Sequence, residues 1–223
     1  MTWTIPNILT VLRLLAAPLM ALVYVALAPP WADILGLGLF VGASVTDWLD
    51  GYLARKLGQQ SKFGTMLDPI ADKAMVVIAL MVLAGIYRLH PGVVLPAGLI
   101  LFREVFVSGL REFLGADAGK LAVTKLAKWK TTVQMVAIAV LLARGIFEHN
   151  FGMLSFGMDT DMVAAILGGQ EEDLQGLGRN YQAMVACHYG GIVLLWLAAV
   201  LTCVTGWDYF RKSLPFLRDE GAV

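Results

Sequence analysis

Two short blocks of acidic residues and glycines in the first third of the chain carry the side chains best suited to chemistry. They consist of Asp47, Asp50, Gly51, Ala54 and Arg55, and then of Gly64, Asp68 and Asp72. An α-helix turns by about 100° per residue, so Asp47 and Asp50 share one helix face. Asp68 and Asp72 share a face for the same reason. Four carboxylates among apolar neighbours cannot all stay ionised without cations, and an all-oxygen ligand set suits hard divalent ions such as Mg²⁺ or Mn²⁺.

The two blocks, separated by the eight residues from Lys56 to Phe63, resemble the signature of the CDP-alcohol phosphotransferases. These are integral-membrane enzymes of phospholipid synthesis. The resemblance implies a CDP-linked alcohol bound through divalent metal, with an acceptor hydroxyl that attacks the β-phosphorus and expels CMP. The alternative, that the acids are solvated caps near membrane helix ends, does not explain their helical spacing or the interleaved glycines.

The resemblance also implies a role for each acid. Asp47, Asp50 and Asp68 are expected to be metal ligands, whereas Asp72 is expected to deprotonate the acceptor and to contact metal as well. Two metal ions about 3.5 to 4 Å apart would neutralise the pyrophosphate and the departing CMP. Glycines let a flat nucleotide or a neighbouring backbone approach closely. The predicted donor site therefore comprises Asp47, Gly51, Ala54, Arg55 and Gly64, although Arg55 could instead cap its helix or extend to the interface.

The composition independently requires a membrane. The chain is 58% hydrophobic with a mean hydropathy of +0.72, above the roughly 45 to 50% apolar share of soluble domains. This excludes a water-soluble enzyme and predicts an all-α integral membrane protein. Six stretches are long enough to cross a hydrocarbon core of about 30 Å. They are Ile8–Ala28, Trp31–Ala54, Met66–Tyr87, Val93–Leu114, Thr131–Phe147 and Met184–Phe210. Residues 1–223 are therefore expected to form a single transmembrane catalytic domain with a polar outer segment at about 148–182.

Basic residues predict the orientation of this helical bundle. With the N-terminus inside, ten lysines and arginines between Arg55 and Arg218 fall on the cytoplasmic side, whereas Arg88, Arg144 and Arg179 fall outside. This distribution follows the positive-inside rule. Both termini and the active site are expected to face the cytoplasm of a bacterium, with the chain crossing its inner membrane several times.

Three further cations could bind a phosphate on the acceptor. Arg103 and Arg111 are eight residues apart, nearly on one helix face, and Lys128 precedes the fifth span. Their alternative role is to enforce topology alone, an interpretation that is also open for Lys120 and Lys130. Pairs such as Arg103-Glu104 and Arg111-Glu112, and the opening Pro6-Asn7-x-Leu9-Thr10-x-x-Arg13, resemble one branch of the same family.

That closer resemblance implies CDP-diacylglycerol as donor, sn-glycerol 3-phosphate as acceptor and a homodimer in contact with membrane lipids, with no nucleic acid. Synthases of phosphatidylinositol phosphate, cardiolipin or phosphatidylserine are the alternatives within the family. From a different class, a divalent-cation transporter would also carry acids within the membrane. Such a transporter, however, has no need of Gly51, Ala54 and Arg55 beside the acids.

Overall fold

The computed structural model describes residues 4–57, 61–115 and 125–217. Within the helices, the side chains of residues 48, 50–55, 57 and 125–128 lie outside that description. All regular structure in the described ranges is helical, which confirms the predicted all-α class. The helices are α1 (Ile5–Ala26), α2 (Trp31–Leu57), α3 (Lys62–Ile86), α4 (Pro91–Leu114), α5 (Lys125–Leu154), α6 (Thr160–Leu167) and α7 (Leu177–Ser213).

The helices have the lengths that a membrane protein needs. Among the described residues, five of them are long and apolar enough to cross a membrane, namely α1, α3, α4, α5 and α7. The sixth predicted span corresponds to α2, which has 27 residues and of which several side chains lie outside the described residues. The protein is therefore an integral membrane protein, and six is an approximate count of its spans.

Helix α1 is placed to organise the acidic blocks. It packs against both α2 and α3, which make few contacts with each other. On the other side of the bundle α7 packs against α4 and α5, and α5 also contacts α2. The shared core contains Met20, Phe40, Met75, Ile100, Leu141 and Leu195. Because α2 and α3 meet through α1, residues of α1 lie between the two acidic blocks.

The beginning of α3 is fixed by one serine. The hydroxyl of Ser61 accepts a hydrogen bond from the backbone N–H of Gly64 at 3.0 Å, as expected of a residue that caps a helix N-terminus. The same hydroxyl donates to the side-chain oxygen of Asn7 at 2.8 Å. These two bonds tie the start of α3 to the start of α1, so the second acidic block enters the bundle in a fixed register.

The two helices that flank the polar segment at about 148–182 are longer than the sequence predicts. Helix α5 continues to Leu154 and α7 begins at Leu177, so both extend into the range 148–182. Hydropathy marks the apolar part of a helix, whereas a helix can continue past the membrane where polar side chains support it. Arg144 and Glu148, which lie four residues apart and pair at 2.8 Å, give such support in α5.

Candidate active site

A buried polar stripe on α1 forms one wall of the site. Asn7, Thr10 and Arg13 are three residues apart and only 3%, 1% and 3% exposed, respectively. Residues at this spacing share one helix face. Polar side chains inside a membrane are costly unless they find partners. The stripe therefore faces the two helices that carry the acids.

Arg13 joins the two acidic blocks. Its guanidinium donates hydrogen bonds to Asp47 of α2 and to Asp72 of α3. The Arg13 side chain is almost fully buried, whereas the carboxylates of Asp47 and Asp72 are about half exposed. Arg13 thus holds the acids from inside the bundle, and their outer edges stay accessible to a ligand.

Thr10 fixes the third acid. Its hydroxyl donates to a carboxylate oxygen of Asp68 at 2.7 Å. Thr10 and Arg13 together bring Asp47, Asp68 and Asp72 to one face of α1. This geometry agrees with the prediction that the two blocks lie close together. The acids of both blocks contact residues of α1, which lies between them.

The remaining residues of the first block cannot be placed to the same detail. The side chains of Asp50, Gly51, Ala54 and Arg55 belong to α2 but lie outside the described residues. Lys128 of α5 lies outside them in the same way. Their predicted roles at the metal, donor and acceptor sites therefore stay predictions.

The acids fit a divalent metal by their chemistry and charge. Asp47, Asp68 and Asp72 offer carboxylate oxygens, the ligands that hard cations prefer. When ionised, these three carboxylates exceed the single charge of Arg13 by two negative charges. Among the residues that the structure describes, no three potential metal ligands lie close enough to hold one ion. A metal bound here would therefore need Asp50 or a rearrangement of the carboxylates around Arg13.

The close approach of α1 requires a glycine at position 64. A Cβ atom at this position would lie 2.7 Å from the side-chain oxygen of Asn7, which is closer than real Cβ contacts allow. The glycine is buried and lets α1 and α3 approach at the level of the Ser61 cap. Of the two reasons for a glycine that the sequence offers, nucleotide access or close packing, the geometry supports packing. A contact with the donor at Gly64 stays a prediction.

A cavity of about 310 Å³ has Asp72 in its wall. Helices α3, α4 and α5 form its walls, and it contains two of the cations predicted to bind a phosphate, Arg103 and Arg111. Four cationic side chains and two carboxylates line it, which leaves a formal charge of +2 and makes the cavity attractive to a phosphate dianion. Its charged residues are Asp72, Lys73, Arg103, Glu104, Arg111 and Lys130.

Glu104 holds two of these cations in place. One of its oxygens accepts hydrogen bonds from Arg103, at 2.9 Å, and from Lys130. Lys130 is 6% exposed, so it is a buried member of the cavity wall. The interpretation of Lys130 as a residue that enforces topology alone does not account for this burial. Arg103 also packs against α7, where a Cβ on Gly206 would lie 2.8 Å from its Cγ.

Arg111 and Lys73 complete the cationic lining of the cavity. The guanidinium of Arg111 lies over the ring of Tyr209 in α7, 5.3 Å from its centroid, which is a cation–π geometry. The amino group of Lys73 donates to the hydroxyl of Ser108 in α4 at 2.5 Å. Both contacts leave these cations at the cavity wall, where they can attract an anion.

The sequence predicts a site at the acids but not the residues that hold them. Asn7, Thr10 and Arg13 belong to the opening motif, and Glu104 belongs to an Arg-Glu pair, that carry the family resemblance. Their spacing carried a signal, since three polar residues at i, i+3 and i+6 in an apolar helix predict a buried polar face. Which helix that face would meet requires the fold.

Known proteins match the chain over most or all of its length. A family model described as CDP-alcohol phosphatidyltransferase matches residues 3–167. A protein of Cereibacter sphaeroides named "CDP-diacylglycerol--glycerol-3-phosphate 3-phosphatidyltransferase" is 57% identical over 99% of this chain and 100% of its own length. A protein of the same name from Rickettsia bellii is 36% identical over 95% of this chain and 96% of its own. Another, from Shigella flexneri serotype 5b, is 40% identical over 75% of this chain and 90% of its own.

Proposed function

Since this chain belongs to the CDP-alcohol phosphatidyltransferase family, we propose that it transfers the phosphatidyl group from CDP-diacylglycerol to sn-glycerol 3-phosphate. The products are phosphatidylglycerophosphate and CMP. The observation that carries the proposal is the position of Asp72, which pairs with Arg13 in the acid cluster and also lines the cationic cavity. One carboxylate thus lies between a region suited to the donor pyrophosphate and a region suited to an acceptor phosphate.

The acceptor binds in the cationic cavity. Arg103 and Arg111 hold its phosphate, with Lys128 as a third cation, because guanidinium groups bind phosphate oxygens through charge-assisted hydrogen bonds. This places a hydroxyl of the glycerol beside Asp72. An uncharged acceptor would leave these cations without an anionic partner, so the cavity favours a phosphorylated alcohol.

The transfer is a displacement at phosphorus. Asp72 takes the proton of the acceptor hydroxyl as its oxygen forms a new bond to the phosphorus that carries the diacylglycerol. The bond between that phosphorus and the bridging oxygen of CMP breaks, and CMP leaves with the electron pair. Arg13 holds the Asp72 carboxylate in position from the buried side.

The donor headgroup binds along the signature. Asp47, Gly51, Ala54, Arg55 and Gly64 form the proposed cytidine and pyrophosphate site. Gly51 and Ala54 keep the surface of α2 low enough for a flat base, and Arg55 contacts a pyrophosphate oxygen.

The family is metal-dependent in general, and the acid cluster is the proposed site of two Mg²⁺ or Mn²⁺ ions. Asp47, Asp50, Asp68 and Asp72 would hold them. When bound, divalent cations neutralise the pyrophosphate and the departing CMP. The carboxylate chemistry and the negative charge that Arg13 leaves uncompensated support this assignment.

The proposed setting is a bacterial inner membrane. A single catalytic domain, present as a homodimer, crosses it several times with both termini and the active site facing the cytoplasm. The cytoplasmic placement rests on the basic residues that flank the inner helix ends. A soluble phosphorylated acceptor and a membrane-bound donor could then reach the same site from different sides.

Purified protein in detergent micelles tests the reaction. With CDP-diacylglycerol and Mg²⁺ or Mn²⁺ present, CMP release should depend on sn-glycerol 3-phosphate. A parallel screen with inositol phosphate, phosphatidylglycerol and serine defines the acceptor. Release that requires one of these instead would assign the protein to another branch of the family. Divalent-cation flux into vesicles without any CMP release would contradict a transferase altogether.

A further inference from the structure

Gln134 of α5 is a polar residue of the cationic cavity that is needed neither to bind the acceptor phosphate nor to move its proton. It lines the cavity and is only 3% exposed. Its carboxamide oxygen is buried and has no hydrogen-bond partner among the residues that the structure describes. A buried polar atom without a partner costs free energy, so a glutamine at this position requires an explanation.

Gln134 lies where the buried face of α5 changes from polar to apolar. It follows Lys130 by four residues, so the two side chains share one helix face, and Lys130 bonds to Glu104 in the cavity wall. The next residues on that face, Ala137 and Ile138, are fully buried in the apolar core. A polar side chain at such a position in a membrane protein is costly to keep and indicates a functional site.

The carboxamide of Gln134 suits a hydroxyl group better than it suits a phosphate. It is neutral, and its oxygen accepts hydrogen bonds while its NH₂ group donates them. Arg103 and Arg111 already offer positive charge to a phosphate in the same cavity. The carboxylate of Glu104 already pairs with two cations, and Asp72 takes the proton of the reacting hydroxyl. A second hydroxyl in this cavity would therefore find an acceptor without a partner in the oxygen of Gln134.

We propose that Gln134 accepts a hydrogen bond from the C2 hydroxyl of sn-glycerol 3-phosphate, an inference that rests on the proposed function. This acceptor carries two hydroxyl groups. The primary one is less hindered and forms the new bond to phosphorus beside Asp72, whereas the secondary one at C2 does not react. Inside the cavity the C2 hydroxyl loses contact with water, so it needs a partner on the protein.

A third point of contact lets the site distinguish the two mirror forms of glycerol phosphate. The cations fix the phosphate and Asp72 fixes the primary hydroxyl, and these two contacts alone fit either form. With both groups in place, the C2 hydroxyl of sn-glycerol 1-phosphate points in another direction and does not reach the oxygen of Gln134. Gln134 thus determines acceptor specificity and takes no part in the proton transfer.

Two acceptor analogues test this role. 3-Hydroxypropyl phosphate lacks only the C2 hydroxyl, and sn-glycerol 1-phosphate inverts it. Both are compared with sn-glycerol 3-phosphate in the wild type, Gln134→Leu and Gln134→Met, which keep about the volume of the side chain and remove its amide. The kcat/KM for each acceptor is measured from CMP release at saturating CDP-diacylglycerol. Gln182→Leu, at an exposed position of α7, is the matched control, and melting temperatures check folding.

The wild type should use sn-glycerol 3-phosphate about tenfold more efficiently than either analogue, which is the effect of one buried hydrogen bond. In Gln134→Leu and Gln134→Met, kcat/KM for sn-glycerol 3-phosphate should fall to the level of the analogues. The values for the analogues should stay close to those of the wild type, because these acceptors make no bond to the amide. Gln182→Leu should keep the preference of the wild type.

Three results would overturn the role of Gln134. They are equal use of all three acceptors by the wild type, a preference that persists in both variants, and an equal loss with all three acceptors. The last result would show that the amide only supports the fold. Absence of CMP release from the wild type with sn-glycerol 3-phosphate would instead overturn the proposed function, and this role with it.

Discussion

Arg13 of α1 and Asp72 of α3 form an ion pair although they lie 59 positions apart in the chain. Arg13 is buried and Asp72 is half exposed, so the arginine fixes the carboxylate and leaves its outer edge accessible. Because Asp72 also lines the cationic cavity, this pair connects the acid cluster to the proposed acceptor site.

Asp72→Asn should abolish turnover while donor binding is largely retained. The amide cannot accept the proton of the acceptor hydroxyl, and loss of a general base costs about 10²- to 10⁴-fold in rate. Asp47 and Asp68 still supply negative charge for a cation. The measurements are kcat from CMP release and equilibrium binding of CDP-diacylglycerol.

Asp208→Asn is a suitable control for this variant. Asp208 lies on α7, where it pairs with Lys212 at 2.7 Å, so the same isosteric change removes a charge that does not line the cavity. It should leave kcat unchanged. If Asp72→Asn weakened donor binding as much as Asp47→Asn does, a distinct role for Asp72 as a base would be excluded.

Arg13→Ala should destabilise the fold. It removes the buried cation between Asp47 and Asp72 and leaves two carboxylates without their partner. The expected loss is about 1 to 3 kcal/mol, the usual cost of an unsatisfied polar group, because both carboxylates keep partial access to water. Thermal melting measures the loss, and added Mn²⁺ should restore part of it by replacing the missing positive charge.

The exposed Arg88 offers a comparison for the arginine substitution. Arg88→Ala should change the melting temperature little, since surface substitutions have small effects. A melting temperature of Arg13→Ala equal to that of the wild type would show that the ion pairs contribute nothing measurable to stability.

The acids could be predicted from the sequence because their chemistry is local. The spacing of Asp47 and Asp50, or of Asp68 and Asp72, puts each pair on one helix face whatever the fold. Their partners could not be predicted in this way, because Arg13 lies more than thirty positions from Asp47. The packing of α1 against both α2 and α3 brings these residues together, and periodicity does not specify which helices pack.

The same distinction applies to the cationic cavity. Arg103 and Arg111 were predicted as one face of a helix, and both line the cavity. The sequence does not show whether Lys130 lines a binding site or only sets the membrane topology. A basic residue near a helix end satisfies the positive-inside rule in either case. The burial of Lys130 and its bond to Glu104 distinguish the two, and both depend on how α4 and α5 are positioned, each of them packed against α7.

Arg111→Ala should raise the KM for sn-glycerol 3-phosphate far more than the KM for CDP-diacylglycerol. Removing a charged hydrogen bond to phosphate costs about 1.5 to 3 kcal/mol, which corresponds to a rise of roughly 10- to 150-fold. Saturation curves for both substrates measure the effect. Arg211→Ala, at the exposed C-terminal end of α7, controls for the loss of a positive charge. Unchanged acceptor kinetics in Arg111→Ala would leave Arg111 with a topological role alone.

Asp173→Ala should reduce stability at neutral pH and lose this effect in acid. Desolvation acts to raise the pKa of Asp173, but hydrogen bonds from the backbone N–H groups of Leu177 and Gly178 outweigh it, so the pKa lies below its usual value. A carboxyl with a lowered folded-state pKa stabilises the fold above its unfolded pKa, about 3.9, and loses this contribution as the pH falls through the folded value.

Melting temperatures of wild type and Asp173→Ala should therefore differ by a constant amount at neutral pH and converge below about pH 4. Glu172→Ala, at the preceding exposed position, is the control for the loss of a carboxylate from this segment, because no backbone hydrogen bond to its carboxylate is found among the described residues. A gap for Asp173→Ala that persists unchanged in acid would exclude the ionised form as its cause.

The orientation of the bundle predicts which sites a membrane-impermeant thiol reagent can reach. Lys62 at the start of α3 lies on the basic side, and Thr160 at the start of α6 lies in the acidic segment that is predicted to be outside. Both are exposed. The test needs a background in which Cys187 and Cys203, the free cysteines of the described residues, are replaced by serine.

In intact spheroplasts, Thr160→Cys should be labelled and Lys62→Cys should not, whereas both should be labelled once the membrane is permeabilised. The physical reason is that basic residues near membrane helix ends are retained on the cytoplasmic side. Because Asp72, Arg103 and Arg111 belong to the halves of α3 and α4 on the Lys62 side, this result would also place the cavity toward the cytoplasm, where a soluble phosphorylated acceptor is available. Labelling of Lys62→Cys alone in intact spheroplasts would reverse both the topology and the direction of acceptor entry.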